Sequence, residues 1–221
     1  SHNLGIDNLL SEITKGMEED ITPVNDNLKF CIIGRPNVGK SSLINALLGT
    51  NRSIVSDVSG TTRDAIDTDF RYNGEKYTVI DTAGMRKKGK VYENIEKYSV
   101  IRSLKAIERS DVCCVVINAE EGIIEHDKHI VSYAINTGKA VVLVVNKWDT
   151  VTNFDTALKD WQQKIKNEFQ FIPYVETIYL SAKTKKRVSM LMPAIIKAYE
   201  NSIKEVPTNV LNDVITEAYN L

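Results

Sequence analysis

Gly34-Arg35-Pro36-Asn37-Val38-Gly39-Lys40-Ser41 fits the spacing Gly-x-x-x-x-Gly-Lys-Ser/Thr. Glycines at those places let backbone N–H groups turn inward around phosphate oxygens, and a helix that starts there adds the positive end of its dipole. Lys40 then reaches the β- and γ-phosphates, and Ser41 offers a hydroxyl to magnesium. Average residue frequencies make a chance match in a chain of this length an event on the order of 1%. The apolar run Leu28 to Ile33 before the loop reads as a buried strand. Leu43, Ile44, Leu47 and Leu48 after it read as a helix ended by Gly49, so the loop falls where the mechanism requires it. The competing reading is a glycine-rich turn without chemistry.

A phosphate loop does not distinguish ATP from GTP. Asn146-Lys147-Trp148-Asp149 closes the apolar run Val141 to Val145. A carboxylate at Asp149 can accept from guanine N1–H and N2–H₂, whereas adenine offers no such pair of donors on that edge. Leaving that carboxylate buried and unpaired costs specificity, by the logic that gives about 10⁴-fold discrimination elsewhere. Asn146 is expected to brace the loop and contact the base, and the aliphatic stem of Lys147 to cover one base face. Ser181-Ala182-Lys183, again after a strand, can supply a backbone donor to guanine O6. A strand-ending polar turn is the plain alternative for each.

Asp81-Thr82-Ala83-Gly84 suits a carboxylate that holds magnesium through water and a Gly84 N–H at the γ-phosphate. Loss of that phosphate releases the segment. In Gly60-Thr61-Thr62-Arg63-Asp64 one threonine hydroxyl, Thr62 in preference to Thr61, completes the magnesium shell. Asn37 is either an oxygen ligand for a monovalent cation near the phosphates or a loop asparagine tolerated for its backbone. His126 and His129, three apart on a predicted helix without an evident partner ligand, read as surface residues. Arg86-Lys87-Lys88 with Lys90, and Lys183 with Lys185-Lys186-Arg187, form basic clusters that are solvated faces or contacts for RNA phosphate.

Elements must bring these residues to one place. Asn73-Gly74 joins two predicted strands, Ala65 to Arg71 and Lys76 to Ile80, as a hairpin. Helices Ile95 to Glu108, His126 to Asn136, Phe154 to Phe169 and Val188 to Glu200 alternate with strands Val112 to Ile117, Val141 to Val145 and Thr177 to Leu180. Such alternation implies a parallel sheet covered on both faces. Asn51 to Asp64 and Asp81 to Val91 read as loops. The expected fold is therefore three-layer α/β/α, with a mostly parallel six-stranded sheet and one antiparallel edge strand.

The 221 residues are 43% apolar and 26% charged, which supports one well-buried core and excludes disordered and fibrous classes. Twenty-eight Lys and Arg against 29 Asp and Glu leave a net charge of −1, so no chain-wide basic field is present and any RNA contact is local. Cys31, Cys113 and Cys114 lie in apolar runs, odd in number and without metal-ligand spacing, which fits a reducing cytosol. No apolar stretch approaches the roughly 18 to 20 residues of a membrane span. Ser1-His2 fits the remnant of a cleaved tag, Ile6 to Ile13 a short helix, and Glu18 to Asn27 a linker. Beyond Pro207, apolar positions repeat at helical spacing without an evident partner in the chain.

Taken together, GRPNVGKSS (Gly34 to Ser42), GTTRD (Gly60 to Asp64), DTAGM (Asp81 to Met85), NKWD and SAK resemble the translation-factor-like GTPases of the Era, TrmE and EngA group, and most closely the EngA (Der) family. The resemblance spans about Leu28 to Ile203 as the second of that family's two GTPase domains. It implies a P-loop GTPase that binds GTP and GDP through Gly34 to Ser42, Asp81 to Met85, Asn146 to Asp149 and Ser181 to Lys183. It further implies magnesium at Ser41, Thr62 and Asp81, and potassium stimulation through Asn37. Lys40, Thr62, Gly84 and Met85 then border the reaction. Met85 stands where Ras-like GTPases place a glutamine that orients the attacking water, so no general base is evident. The flanks imply the last helix of a preceding domain with its linker (1–27) and the opening of a KH-like domain (204–221). The implied role is a cytoplasmic switch in large-subunit ribosome assembly, contacting ribosome or ribosomal RNA through the full-length protein, with no DNA or membrane partner and a monomeric isolated domain. The competing reading is a GTP-dependent binding module with negligible turnover.

Overall fold

The computed structural model describes residues 27–50, 67–82 and 95–219. The expected helix near Ile6, the linker after it, the Gly60 to Asp64 segment with Thr61 and Thr62, residues Ala83, Gly84 and Met85, and the cluster Arg86 to Lys90 lie outside the described residues.

Six strands form one sheet in the order β2-β3-β1-β4-β5-β6. They are β1 (Leu28–Ile33), β2 (Thr68–Tyr72), β3 (Glu75–Ile80), β4 (Val112–Asn118), β5 (Ala140–Asn146) and β6 (Glu176–Tyr179). Among the described residues, only the edge pair β2 and β3 is antiparallel. Its turn has φ of 50° at Asn73 and 91° at Gly74, the two successive positive values that match the right-handed twist of flanking strands. The first hairpin strand starts three residues later than the sequence pattern implies, at Thr68 rather than Ala65.

The helices are α1 (Lys40–Thr50), α2 (Ile95–Glu108), α3 (Glu125–Asn136), α4 (Phe154–Glu168), α5 (Leu191–Ser202) and α6 (Thr208–Tyr219). Alternate residues of each central strand face opposite ways, which divides the core into two layers. Phe30, Ile32, Val116 and Val144 pack with Leu43 and Leu47 of α1 and Ile195 of α5. Cys31, Ile33, Val115 and Val145 pack with Ile107 of α2, Val131 of α3 and Trp161 of α4. Seven consecutive buried residues in β4 follow from covering both faces. The free thiols Cys31, Cys113 and Cys114 are all interior.

Two helices depart from the sequence reading in ways their residues explain. Helix α1 runs through Gly49, which stands in open space and therefore meets no steric stop. The segment starting at Val188 opens as a single 3₁₀ turn, and α5 begins at Leu191 with Pro193 in its first turn, where a missing N–H costs nothing. Helix α6 is exposed along its whole length, so its apolar residues Val210, Leu211, Val214 and Ile215 meet no partner among the described residues.

Candidate functional site

Parallel strands carry their following loops to one edge of the sheet, the place where open α/β folds bind ligands. The register Cys31↔Ile80, Ile33↔Val115 and Asn118↔Asn146 brings the segments after β1, β3, β4 and β5 to that edge. Those segments begin with Gly34, Asp81, Ala119 and Lys147.

The loop between β1 and α1 is held in conformations its residue types permit. Gly34 has φ of 150°, and a Cβ there would stand 2.4 Å from the Val116 carbonyl oxygen. Gly39 has φ of 98°, and a Cβ there would stand 2.3 Å from Asn146 Nδ2. Both positions exclude larger residues by contact as well as by backbone. Asn37 has φ of 64°, a left-handed region that asparagine tolerates. Val38 is fully buried and anchors the loop in the core, Pro36 and Asn37 are exposed, and the Gly39 carbonyl accepts from Leu43 N–H at 2.9 Å to start α1. Ser41 and Ser42 stand exposed in its first turn.

Lys40 lies half-buried, and its ammonium donates to the Gly34 carbonyl at 2.8 Å and the Arg35 carbonyl at 2.6 Å. Burial holds its pKa below the ordinary 10.5. The loop thus bends the cation back over its own interior, facing the ring of backbone that the glycines open.

Asn146, 2% exposed, joins the other two predicted motifs to this loop. Its Nδ2 donates to the Val38 carbonyl at 2.8 Å, and its Oδ1 accepts from Ala182 N–H at 2.9 Å. The bracing role expected of it is therefore present, and one amide ties three segments together. Of the backbone donors in Ser181 to Lys183, the segment expected to face guanine O6, the Ala182 N–H is engaged by that amide. Ser181 is buried, its hydroxyl accepting from Thr184 N–H at 3.1 Å, while Lys183 is exposed.

After Asn146 the chain turns through Lys147, at φ 63°, into a 3₁₀ turn over Trp148–Thr150. Trp148 packs inward against Tyr179, with ring centroids 4.7 Å apart, and against Trp161, and its backbone N–H donates to the Leu180 carbonyl at 3.1 Å. The motif places Trp148 among the nucleotide contacts, but its side chain is a core anchor for the loop. Asp149 is exposed rather than buried, so its discrimination between purines depends on the base that covers it. With Ser181, Phe154 and Lys186 it lines an open groove of about 580 Å³.

Asp81 has φ of 56°, an unusual backbone for a residue with a Cβ. Its N–H donates to Asp67 Oδ1 at 3.1 Å, and Asp67 is also paired with Arg109 near the end of α2. Next to it the hydroxyls of Thr68 and Thr82 lie 2.8 Å apart in the interior. Thr82 therefore serves the hairpin, and sequence reasoning missed Asp67 because nothing in local periodicity couples residues 14 apart. His126 and His129 are exposed on α3.

The donor set fits magnesium. A serine hydroxyl at the start of α1 and a carboxylate at the end of the adjacent strand β3 are hard oxygen ligands, and magnesium keeps much of its water.

The family described as 50S ribosome-binding GTPase matches residues 29–147. This chain belongs to it. The observed sheet is a P-loop GTPase fold. Among curated relatives, GTPase Der of Staphylococcus carnosus (strain TM300) is 55% identical over 223 residues, covering 100% of this chain and 51% of the relative. GTPase Der of Staphylococcus aureus (strain Newman) is 54% identical with the same coverage. The chain spans about half the length of the curated relatives it matches. Era solved with MgGDPNP and nucleotides 1506–1542 of 16S ribosomal RNA is 28% identical with a TM-score of 0.59, covering 77% of this chain and 56% of Era. Elongation factor SelB of Methanococcus maripaludis, with a TM-score of 0.60 at 20% identity over 82% of this chain and 35% of that one, shares the fold.

Proposed function

We propose that this chain is the GTP-hydrolysing switch of a longer protein that acts in assembly of the large ribosomal subunit. The observation that carries it is the Asn146 amide, which joins the Gly34 to Ser42 loop to both predicted base-reading segments at one sheet edge. In this reading Gly39, Lys40 and the loop amides hold phosphate, Lys147 covers the base, and Asp149 reads guanine. Ser41, Asp81 and Thr62 hold magnesium, which supplies charge neutralisation at the phosphates when bound. Gly84 and Met85 border the attacking water, and Asn37 holds potassium. Residues 28–203 are the GTPase domain, with 1–27 the end of a preceding domain and 204–221 the opening of a KH-like one. The exposed length of α6 and the half-length match to the relatives support that division. Ribosome or ribosomal RNA is the partner, reached through the longer protein in the cytoplasm; no DNA or membrane partner enters, and the domain is monomeric.

Steady-state GTP hydrolysis in matched potassium and sodium buffers tests this. Turnover faster in potassium is expected, and Asn37→Ala is expected to remove the difference. Equal rates in the two buffers sink the potassium assignment alone. GTP binding with no turnover in either buffer favours the binding-module reading.

A further inference from the structure

Arg35 occupies a variable position of the phosphate loop, where its side chain has no assigned task. Its guanidinium nevertheless spends three donors on one segment that runs from the end of β4 into the first turn of α3. Nε donates to Asp127 Oδ1 at 3.2 Å, Nη1 to Glu121 Oε2 at 2.6 Å and Nη2 to the Gly122 carbonyl at 3.1 Å. The acceptors are fixed in turn. Asp127 is fully buried, and its other oxygen accepts from Ile124 N–H at 3.2 Å, which locks the first turn of α3. The second oxygen of Glu121 accepts from Asn118 Nδ2 at 2.5 Å, and Asn118 ends a central strand. A planar fork held at three points is a rigid anchor in a way a lysine is not.

That anchor sits on the residue whose own carbonyl accepts from the Lys40 ammonium at 2.6 Å. We propose that Arg35 is a positioning residue: its clamp on Glu121, Gly122 and Asp127 fixes the peptide that aims Lys40 at the phosphates. The inference rests on the GTPase reading and adds a determinant of phosphate-side affinity. A carboxylate cluster that merely closed a surface loop would need no arginine from the phosphate loop. The clamp touches none of Asp149, Ser181 or Lys183, and although Glu121 feels the Lys147 charge, the reading of guanine by Asp149 is left alone.

The test uses the 221-residue chain and a fluorescent GDP. Arg35→Ala is expected to release GDP about tenfold faster and to move the ³¹P resonance of the bound β-phosphate, with the ratio of GDP to inosine diphosphate affinity unchanged. Arg35→Lys restores part of the loss, since one ammonium replaces a three-point fork. Arg35→Ala leaves the buried Asp127 carboxylate without its cation, so Glu121→Gln, at the exposed end of the clamp, carries the test where that variant fails to fold. It too is expected to speed release, and the double variant is expected to fall short of the sum of the singles. Wild-type release rates with an unmoved ³¹P resonance in Glu121→Gln overturn the proposal, as does full additivity. A wild-type chain that fails to bind GDP overturns the GTPase reading as well, which separates the two failures.

Discussion

Lys40 and Asp149 make opposite predictions because one is half-buried and the other exposed. Burial disfavours the Lys40 ammonium, so in the free protein its pKa lies below 10.5, and bound phosphate favours the charged form and raises it again. Between those two values binding takes up a proton, and GDP affinity falls as the pH rises through that window. For the free chain the sign is reversed: the buried cation costs stability below its lowered pKa, and the cost fades as the pH rises through it. Calorimetry in two buffers of different ionisation heat is expected to show more proton uptake on GDP binding at alkaline pH than at neutral pH. Asp149→Asn is expected to weaken GDP binding roughly 10²- to 10⁴-fold, the worth of two charge-assisted hydrogen bonds. Its melting temperature should not change, because an exposed side chain is lost. Asn146→Ala strands the buried Val38 carbonyl and Ala182 N–H, so it is expected to cost about 2 to 4 kcal/mol of stability together with nucleotide binding. Thermal melts and nucleotide titrations on these two variants distinguish a reader of the base from a brace of the loops.

The strands and helices were legible because burial imposes a period on them. Continuous apolar runs marked β4 and β5, covered on both faces, and Asn73-Gly74 marked the hairpin. What stayed hidden are contacts between loops far apart in sequence: Arg35 with Asp127 across 92 residues, and Asn146 with Val38 across 108. Side-chain periodicity is local and carries no record of them. The same distinction separates two glycines. Gly74 has φ of 91° with nothing near its absent Cβ, so Gly74→Ala is expected to cost only the left-handed backbone, about 1 kcal/mol, and to leave GDP affinity alone. Gly39 has φ of 98°, and its Cβ would strike the amide of Asn146, so Gly39→Ala is expected to lose more stability and to abolish GDP binding. Urea titrations with and without GDP check both, since added nucleotide should stabilise the first variant and not the second.

At the scale of the whole molecule, two buried layers flank one sheet, and the candidate site occupies the edge where its parallel strands end. Helix α6 belongs to neither layer. Stabilisation by apolar burial scales at about 25 cal/mol per Å² removed from water, and a helix exposed at every described position removes almost none. Its apolar stripe was readable from the spacing of Val210, Leu211, Val214 and Ile215, but spacing cannot say whether a stripe has a partner. Truncation after Ile203 is therefore expected to leave the melting temperature within about 2 °C and GDP affinity within about twofold. Differential scanning calorimetry on the truncated and complete chains decides this. A fall of more than about 5 °C, which for a domain of this size corresponds to well over 1 kcal/mol, would mean that α6 packs on the body of the molecule in solution. An unchanged transition would mean instead that the stripe at 210–215 is idle within this chain, and that the two-layer body folds and binds nucleotide without it.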